Sequence, residues 1–169
     1  MAAVRLPAPA TRPRRLVDVD VVELERRLRE RVDGEVRFDA GARGAYATDA
    51  SNFRHVPLGV VVPRSVEAGA EAVAVCHELG APVVSRGGGT SLAGQACNVA
   101  VVLDWSQHCH AVVSIDAAAR SAVVEPGLVL DELNAAAAAH GLQVGPKPAT
   151  HTRCTLGGMI GNNSCGSTA

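Results

Sequence analysis

The chain has 169 residues, a formal net charge of −1 at pH 7, 47% apolar residues and 2% aromatic ones. That length allows one domain or part of one. The balanced charge gives no electrostatic footprint for nucleic acid or an anionic membrane, and no apolar run is long enough to be read as a membrane-spanning helix.

Residues 1–17 carry Arg5, Arg12, Arg14 and Arg15 interleaved with Pro7, Pro9 and Pro13. No apolar h-region follows them, so the stretch reads as a disordered leader and not a secretory signal. Residues 18–33 predict a first helix. Val21, Leu24, Leu28 and Val32 share one side at a 3.6-residue period, and Gly34 stops it. A short strand is expected at 35–38.

Residues 40–57 read as irregular and hold Tyr46, the only tyrosine, and Phe53. Aromatic side chains in a polar loop either cover a ligand or plug the edge of a core, and both readings stand. Residues 58–62 form an apolar strand closed by Pro63. Ser65 then caps a helix running to Leu79, with Gly80 as its C-cap. Its expected buried side follows Val66, Gly69 or Ala70, Val73, Cys76 or His77, and Leu79 or Gly80. Residues 82–85 are the next strand. The strand–helix–strand unit predicts parallel strands joined by a right-handed crossover.

That strand runs into Ser85-Arg86-Gly87-Gly88-Gly89-Thr90-Ser91-Leu92-Ala93-Gly94. Consecutive glycines lose much chain entropy on folding, and they suit positions where backbone takes positive φ or approaches something closely. Bare N–H groups in a row make an anion cradle. The loop is not a P-loop, because Gln95 and Ala96 stand where Lys and Ser or Thr would meet the phosphates and magnesium. Nor is it the dinucleotide fingerprint, because Leu92 occupies the third glycine position. The bland alternative is a tight turn with no ligand.

Residues 100–104 predict a buried strand. Residues 111–115 and 122–125 predict an antiparallel hairpin around 116–120, broken by Pro126-Gly127. Residues 130–139 form an alanine-rich helix stopped by Gly141, and 142–144 a short strand. A rigid turn, Gly145 to His151, precedes a second glycine-rich segment, Thr155 to Gly166, in which Asn162, Asn163 and Ser164 add polar groups, followed by Ser167. The chain stops at Ala169 inside a loop, which predicts a piece of a larger domain with poor retention of its cofactor. The five cysteines, Cys76, Cys97, Cys109, Cys154 and Cys165, are odd in number and contain no C-x-x-C. This argues against a disulfide scaffold and a local metal site, and for a reducing compartment.

In this order the motifs resemble a known family. Arg86 to Gly94 resembles the first flavin loop of FAD-binding domains of the vanillyl-alcohol-oxidase, or PCMH, type. Leu156 to Gly166 resembles the second. Val62-Pro63-Arg64-Ser65-Val66, the Asp116 and Val124-Glu125-Pro126-Gly127 hairpin, and Tyr46-Ala47-Thr48-Asp49-Ala50-Ser51 are similar to further family segments, the last to its glycolate oxidase and D-lactate dehydrogenase branch. Within the branch, the wording resembles large bacterial oxidases fused to an iron–sulfur half.

The resemblance covers roughly 35–169 and implies an α+β (α/β-like) fold: an N-terminal βαβ subdomain followed by part of a second, mixed-sheet subdomain, incomplete at the C-terminus. The implied cofactor is FAD. The cofactor-binding set is Arg86, Gly87, Gly88, Gly89, Thr90, Ser91, Gly94, Pro148, Thr155, Gly157, Gly158, Gly161, Asn162, Ser164 and Gly166. Members with covalent FAD often carry histidine at the position of Thr90, so the implied linkage is noncovalent. His151, beside the second loop, is a further candidate contact.

The implied activity is oxidation of a small 2-hydroxy acid, D-lactate or glycolate, with electrons passed to an acceptor. The family's cap domain supplies the base, so no catalytic residue or metal ligand is assigned here. An iron–sulfur cluster would belong to a missing C-terminal region. A cytoplasmic location, with peripheral association at the inner face of a membrane beside a respiratory chain, fits this reading. The alternatives are a non-catalytic FAD-binding fragment, half of a split protein, or a structural α/β domain.

Overall fold

A computed structural model describes residues 19–166. The predicted leader and Ser167 lie outside the described residues. The first helix, α1 (Val21–Arg31), starts where the Asp20 carboxylate accepts the N–H groups of Val22 and Glu23, both at 3.1 Å. Leu24, Leu28 and Val32 are buried as their spacing predicts, whereas Val21 is 37% exposed. Strand β1 (Gly34–Arg37) and helix α2 (Ala40–Ala45) follow. α2 lies in a stretch read as irregular. Asp39 nucleates it by accepting the Ala42 N–H at 2.9 Å. Within it, Gly44 has open space where a Cβ would stand. Gly44→Ala should therefore stabilise the chain by about 0.5–1 kcal/mol, the helix-propensity difference. A lowered melting temperature would contradict this.

Strand β2 (Gly59–Pro63) is buried along its whole length. Helix α3 (Val66–Leu79) has the predicted caps: Ser65 Oγ accepts the Ala68 N–H, and Gly80 sits in the left-handed region at φ 68°. Its buried face differs from expectation. Ala68, Gly69, Ala72, Val75 and Cys76 face the core, while Val66 and Val73 are 42% and 45% exposed. The reason is close approach. A Cβ on Gly69 would stand 2.1 Å from the Trp105 ring, so a small residue is needed at that contact, and Val66 and Val73 turn outward while Val75 stays in the core.

Strands β3 (Val83–Arg86) and β4 (Val101–Asp104) complete a sheet of order β1-β2-β4-β3. β2 and β3 are parallel, as the crossover requires, but β4 lies between them and pairs with both. β1 is antiparallel to β2, which makes the sheet mixed. One face packs α1 and α3 around Leu24, Leu28, Val61, Val75 and Leu103. The other buries Val60, Val62 and Val102 under Tyr46.

The hairpin β5 (Val112–Asp116) and β6 (Ser121–Val124) forms its own antiparallel sheet. It packs with helix α4 (Leu130–Ala138) and helix α5 (Leu156–Gly161) around Leu128, Leu130, Leu133, Cys154 and Met159. The strand expected at 142–144 is absent, because the Val144 N–H is taken by the Asn134 side chain at 2.8 Å and not by a neighbouring strand. The first half of the second glycine-rich segment is helical and not loop: Thr155 caps α5. All five cysteines are unpaired and four are buried.

Candidate functional site

The parallel strands β2, β4 and β3 end side by side, and the glycine loop leaves β3 at Arg86. β3 is the edge strand, so the loop is free to leave the sheet. Among the described residues, the N–H groups of residues 87–92 donate to no protein acceptor. The run ends at Ala93, whose N–H is taken by the Gln95 side chain. Gly89 and Gly94 have φ of 65° and 81°, which glycine adopts without strain. A row of unpaired amides at the carboxyl end of a parallel strand is a ready site for an anion, and phosphate is the anion that best fills several donors.

The segment 48–54 lies against this loop. The Ala50 N–H donates to Gly89 O at 3.0 Å. The Arg86 guanidinium donates to Thr48 O at 2.7 Å and to Ala96 O at 3.3 Å, and lies 5.3 Å from the centre of the Tyr46 ring. A Cβ on Gly89 would stand 2.8 Å from Arg86 Nη2, so the guanidinium fills the space behind that glycine. The Asp49 carboxylate accepts the N–H and hydroxyl of Ser51 and, across the sequence, the Ala96 N–H at 3.2 Å. Partial burial works against its charge, but these hydrogen bonds and the nearby Arg86 charge prevail and hold Asp49 below the usual carboxylate range.

Of the two aromatic residues, Tyr46 is a plug. Its hydroxyl donates to the buried Asp104 at 2.5 Å. Burial first, and then the Asp104 carboxylate, push the phenol upward. Asp104 also accepts the N–H and hydroxyl of Ser106, so its buried charge is well partnered. Phe53 instead lies over Gly94, where a Cβ would meet its ring at 2.8 Å, and remains 53% exposed.

The two glycine segments meet. A Cβ on Gly87 would stand 2.0 Å from Thr155 Oγ1, and one on Gly88 would stand 2.2 Å from the Arg153 carbonyl oxygen. Thr155 is buried. Its backbone bridges to Val129, and its hydroxyl accepts the Gly158 N–H at 3.4 Å. The second segment offers fewer free amides at its start, because the Leu156 and Gly157 N–H groups bond Leu128 O and Pro126 O. Gly157 is a packing glycine, with Pro126 2.9 Å from its missing Cβ.

Further on, Asn162 follows the helix with an exposed side chain, and Asn163 has φ 48°. The Ser164 N–H closes on Met159 O. Gly166 backs onto Lys147, next to Pro148. Gly161 has open space around it. Thr90 and Ser91 lie half-buried in the cradle itself. Among the described residues, no hydrogen bond joins Asn162 or Ser164 to the first loop. His151 pairs with Asp131 of α4, its Nδ1 2.8 Å from both carboxylate oxygens.

The residues that sequence reasoning gave no role are Arg153, Asp49 and Asp104. Arg153 acts through a backbone carbonyl, which no side-chain pattern reveals. Asp49 stood in a quoted motif, and its contact with Ala96 lies 47 residues away.

Comparison with known proteins identifies the family. The family model described as an FAD binding domain matches residues 57–169. The D-2-hydroxyglutarate dehydrogenase of Pseudomonas putida is 33% identical over 139 residues, covering 79% of this chain and 14% of that protein. The glycolate oxidase subunit GlcD of Escherichia coli is 35% identical over 154 residues, covering 89% of this chain and 31% of that one. The chain thus spans less than a third of the length of either relative. Among solved structures, an alkyldihydroxyacetonephosphate synthase superposes with a TM-score of 0.72 at 20% identity, over 96% of this chain and 31% of the other, a likeness of fold. With more than half of its residues matched by that model, the chain belongs to the PCMH-type FAD-binding domain family.

Proposed function

We propose that this chain is the FAD-binding portion of an oxidoreductase that oxidises a small 2-hydroxy acid, of the D-lactate or glycolate type, and passes the electrons to an acceptor. The observation that carries the reading is the run of unpartnered amides at 87–92, closed on one side by Thr155 and backed by the Arg86 charge. Those amides bind the pyrophosphate. The exposed Leu92 and Phe53 offer apolar surface beside them for a ring system. Asn162 and Ser164 supply polar groups toward the rest of the cofactor. The flavin, when bound, supplies the hydride acceptor at N5.

The titratable groups around the cradle, Asp49, Asp104, Tyr46 and Arg86, are all engaged in protein hydrogen bonds. We assign none of these four as the proton acceptor for the substrate hydroxyl, in keeping with the family resemblance, which implies a base on a separate cap domain. The same observation favours a second reading, an FAD-binding module with no independent catalysis. No described helix is long and apolar enough to cross a membrane. The odd number of cysteines without C-x-x-C spacing is in keeping with a reducing setting. An iron–sulfur acceptor has no cluster of ligands among the described residues and would sit elsewhere.

The direct test is absorbance. Protein titrated with excess FAD should develop bound-flavin bands, weakly held in this chain and firmly in the full-length protein, and full-length protein that gains none refutes the reading. Dye reduction with D-lactate or glycolate then separates the catalytic reading from the module reading.

The first loop forms no covalent bond to the flavin, because Thr90 has no ring nitrogen to make one. Acid precipitation should leave the flavin in the supernatant, and flavin in the pellet would show a covalent bond. Thr90→Val should weaken FAD binding by about 1 kcal/mol, the net scale of one hydrogen bond, or about fivefold in Kd. An unchanged Kd would remove the Thr90 hydroxyl from the cradle.

A further inference from the structure

We propose that Arg86 is not a phosphate ligand but a positioning residue, and that Arg86 and Asp49 together clamp the segment 48–54 onto the glycine loop and so fix the shape of the cradle. The inference rests on the FAD reading and deepens it. An arginine before three glycines reads naturally as a charge for the pyrophosphate. The geometry points elsewhere. The guanidinium is held between the Tyr46 ring and the Gly89 backbone, and its Nη1 is committed to Thr48 O and Ala96 O. Nη1 reaches both carbonyls while Nη2 and the guanidinium carbon fill the space behind Gly89, a reach and shape that the shorter ammonium stem of lysine does not reproduce.

Asp49 closes the same junction from the other side. Its Oδ2 takes the Ala96 N–H, so Ala96 is gripped through its carbonyl by Arg86 and through its amide by Asp49. Its Oδ1 takes Ser51, whose hydroxyl in turn accepts the Phe53 N–H. That places Phe53 over Gly94, and the Ala50 N–H on Gly89 O. Both ends of the glycine loop are therefore fixed by one short segment.

A carboxylate this near an anion cradle works against pyrophosphate binding by charge alone. Its presence is accounted for by what it holds. The clamp orders the loop before the cofactor arrives, and this reduces the ordering entropy that binding would otherwise oppose. The charge of Arg86 still favours an anion, but only as a background field behind the backbone.

The test is a titration of FAD against the wild-type chain, Arg86→Lys, Asp49→Ala and the double variant, with a thermal melt of each. Arg86→Lys keeps the charge and loses the outer guanidinium nitrogens. Lysine would rescue a mere point charge, but a bidentate phosphate ligand would lose affinity as a positioning residue does, so the double variant decides: a ligand's loss adds to that of Asp49→Ala, and a positioning residue's does not. We expect Arg86→Lys and Asp49→Ala each to weaken FAD about tenfold or more, and the double variant to lose little beyond either one, because coupled residues are not additive. Wild-type-like affinity in Arg86→Lys overturns the proposal, and so do additive losses. Where a variant melts early, Ser51→Ala serves as a milder probe. It removes one arm of the Asp49 junction, and we expect a smaller loss of affinity at an unchanged melting temperature. Unaltered affinity in that variant also counts against the clamp. A full-length wild-type protein that binds no FAD removes the cofactor reading itself, whereas wild-type binding with an indifferent Arg86→Lys removes only the clamp.

Discussion

Gly88→Ala should abolish FAD binding while the protein remains folded. The added Cβ would stand 2.2 Å from the Arg153 carbonyl oxygen and 3.1 Å from its carbon. Both are backbone atoms, so no rotamer change makes room. Arg153 is itself held in a turn, its N–H on Thr150 O at 2.8 Å. The two glycine segments must move apart, and the amides at 87–92 move with the first. Hydrogen bonds from such amides to a charged phosphate are worth about 1.5–3 kcal/mol each. Misplacing two of them removes about 3–6 kcal/mol, more than a hundredfold in Kd. The clash lies between two backbone segments outside both hydrophobic clusters, so the melt should shift little. Gly44→Ala, far from any neighbour, controls for the substitution type. Isothermal titration of FAD into both variants decides it. A Gly88→Ala protein binding within tenfold of wild type would show that the approach of the two segments does not shape the site.

The glycine loop and its neighbours were legible in the sequence because they obey local rules. Ser65 and Gly80 bracket α3 through one side-chain oxygen and one left-handed residue, and both signals are carried by single positions. The glycine run likewise announces backbone exposure without any partner being known. The failures come from contacts between distant segments. Apolar periodicity chose Val66 and Val73 for the buried face of α3, but a helix lying close on a sheet selects small residues there, and the selecting partner is Trp105, 36 residues beyond Gly69. Strand order had the same difficulty. β4 slots between β2 and β3 through hydrogen bonds that any apolar strand could make. His151 carried no local sign that Asp131 would claim its ring nitrogen. At the candidate site, the run of glycines marked the loop whose amides stand unpaired. The partners that shape it, Arg153 O, Ala96 and Thr48 O, are mostly backbone, and backbone is the same at every position.

The largest effect on stability is expected at Gly127. It joins the hairpin to α4, and its N–H donates to Cys109 O at 2.8 Å. A Cβ there would stand 2.1 Å from Trp105 O and 2.7 Å from Cys109 O. The chain from 105 to 109 forms a turn, with the Cys109 N–H on Trp105 O, and it begins at the end of β4, where the Trp105 N–H reaches Arg86 O. An alanine must push this turn away from residue 127. The buried hydrogen bond to Cys109 is then lost, which costs about 1–3 kcal/mol where the groups stay buried. The displaced Trp105 also withdraws its ring from the notch at Gly69, opening a gap in the first core. Together these predict a loss of more than about 2 kcal/mol for Gly127→Ala, and a melting temperature lower by roughly 4–8 °C for a chain of this size. Because the turn is tied to Arg86, FAD affinity should fall as well, though less than in Gly88→Ala. Thermal denaturation followed by far-ultraviolet circular dichroism measures the first effect, and FAD titration the second. A Gly127→Ala protein melting with the wild type would mean that the turn yields freely, and the two cores would then be joined by something other than the Trp105–Gly127 contact.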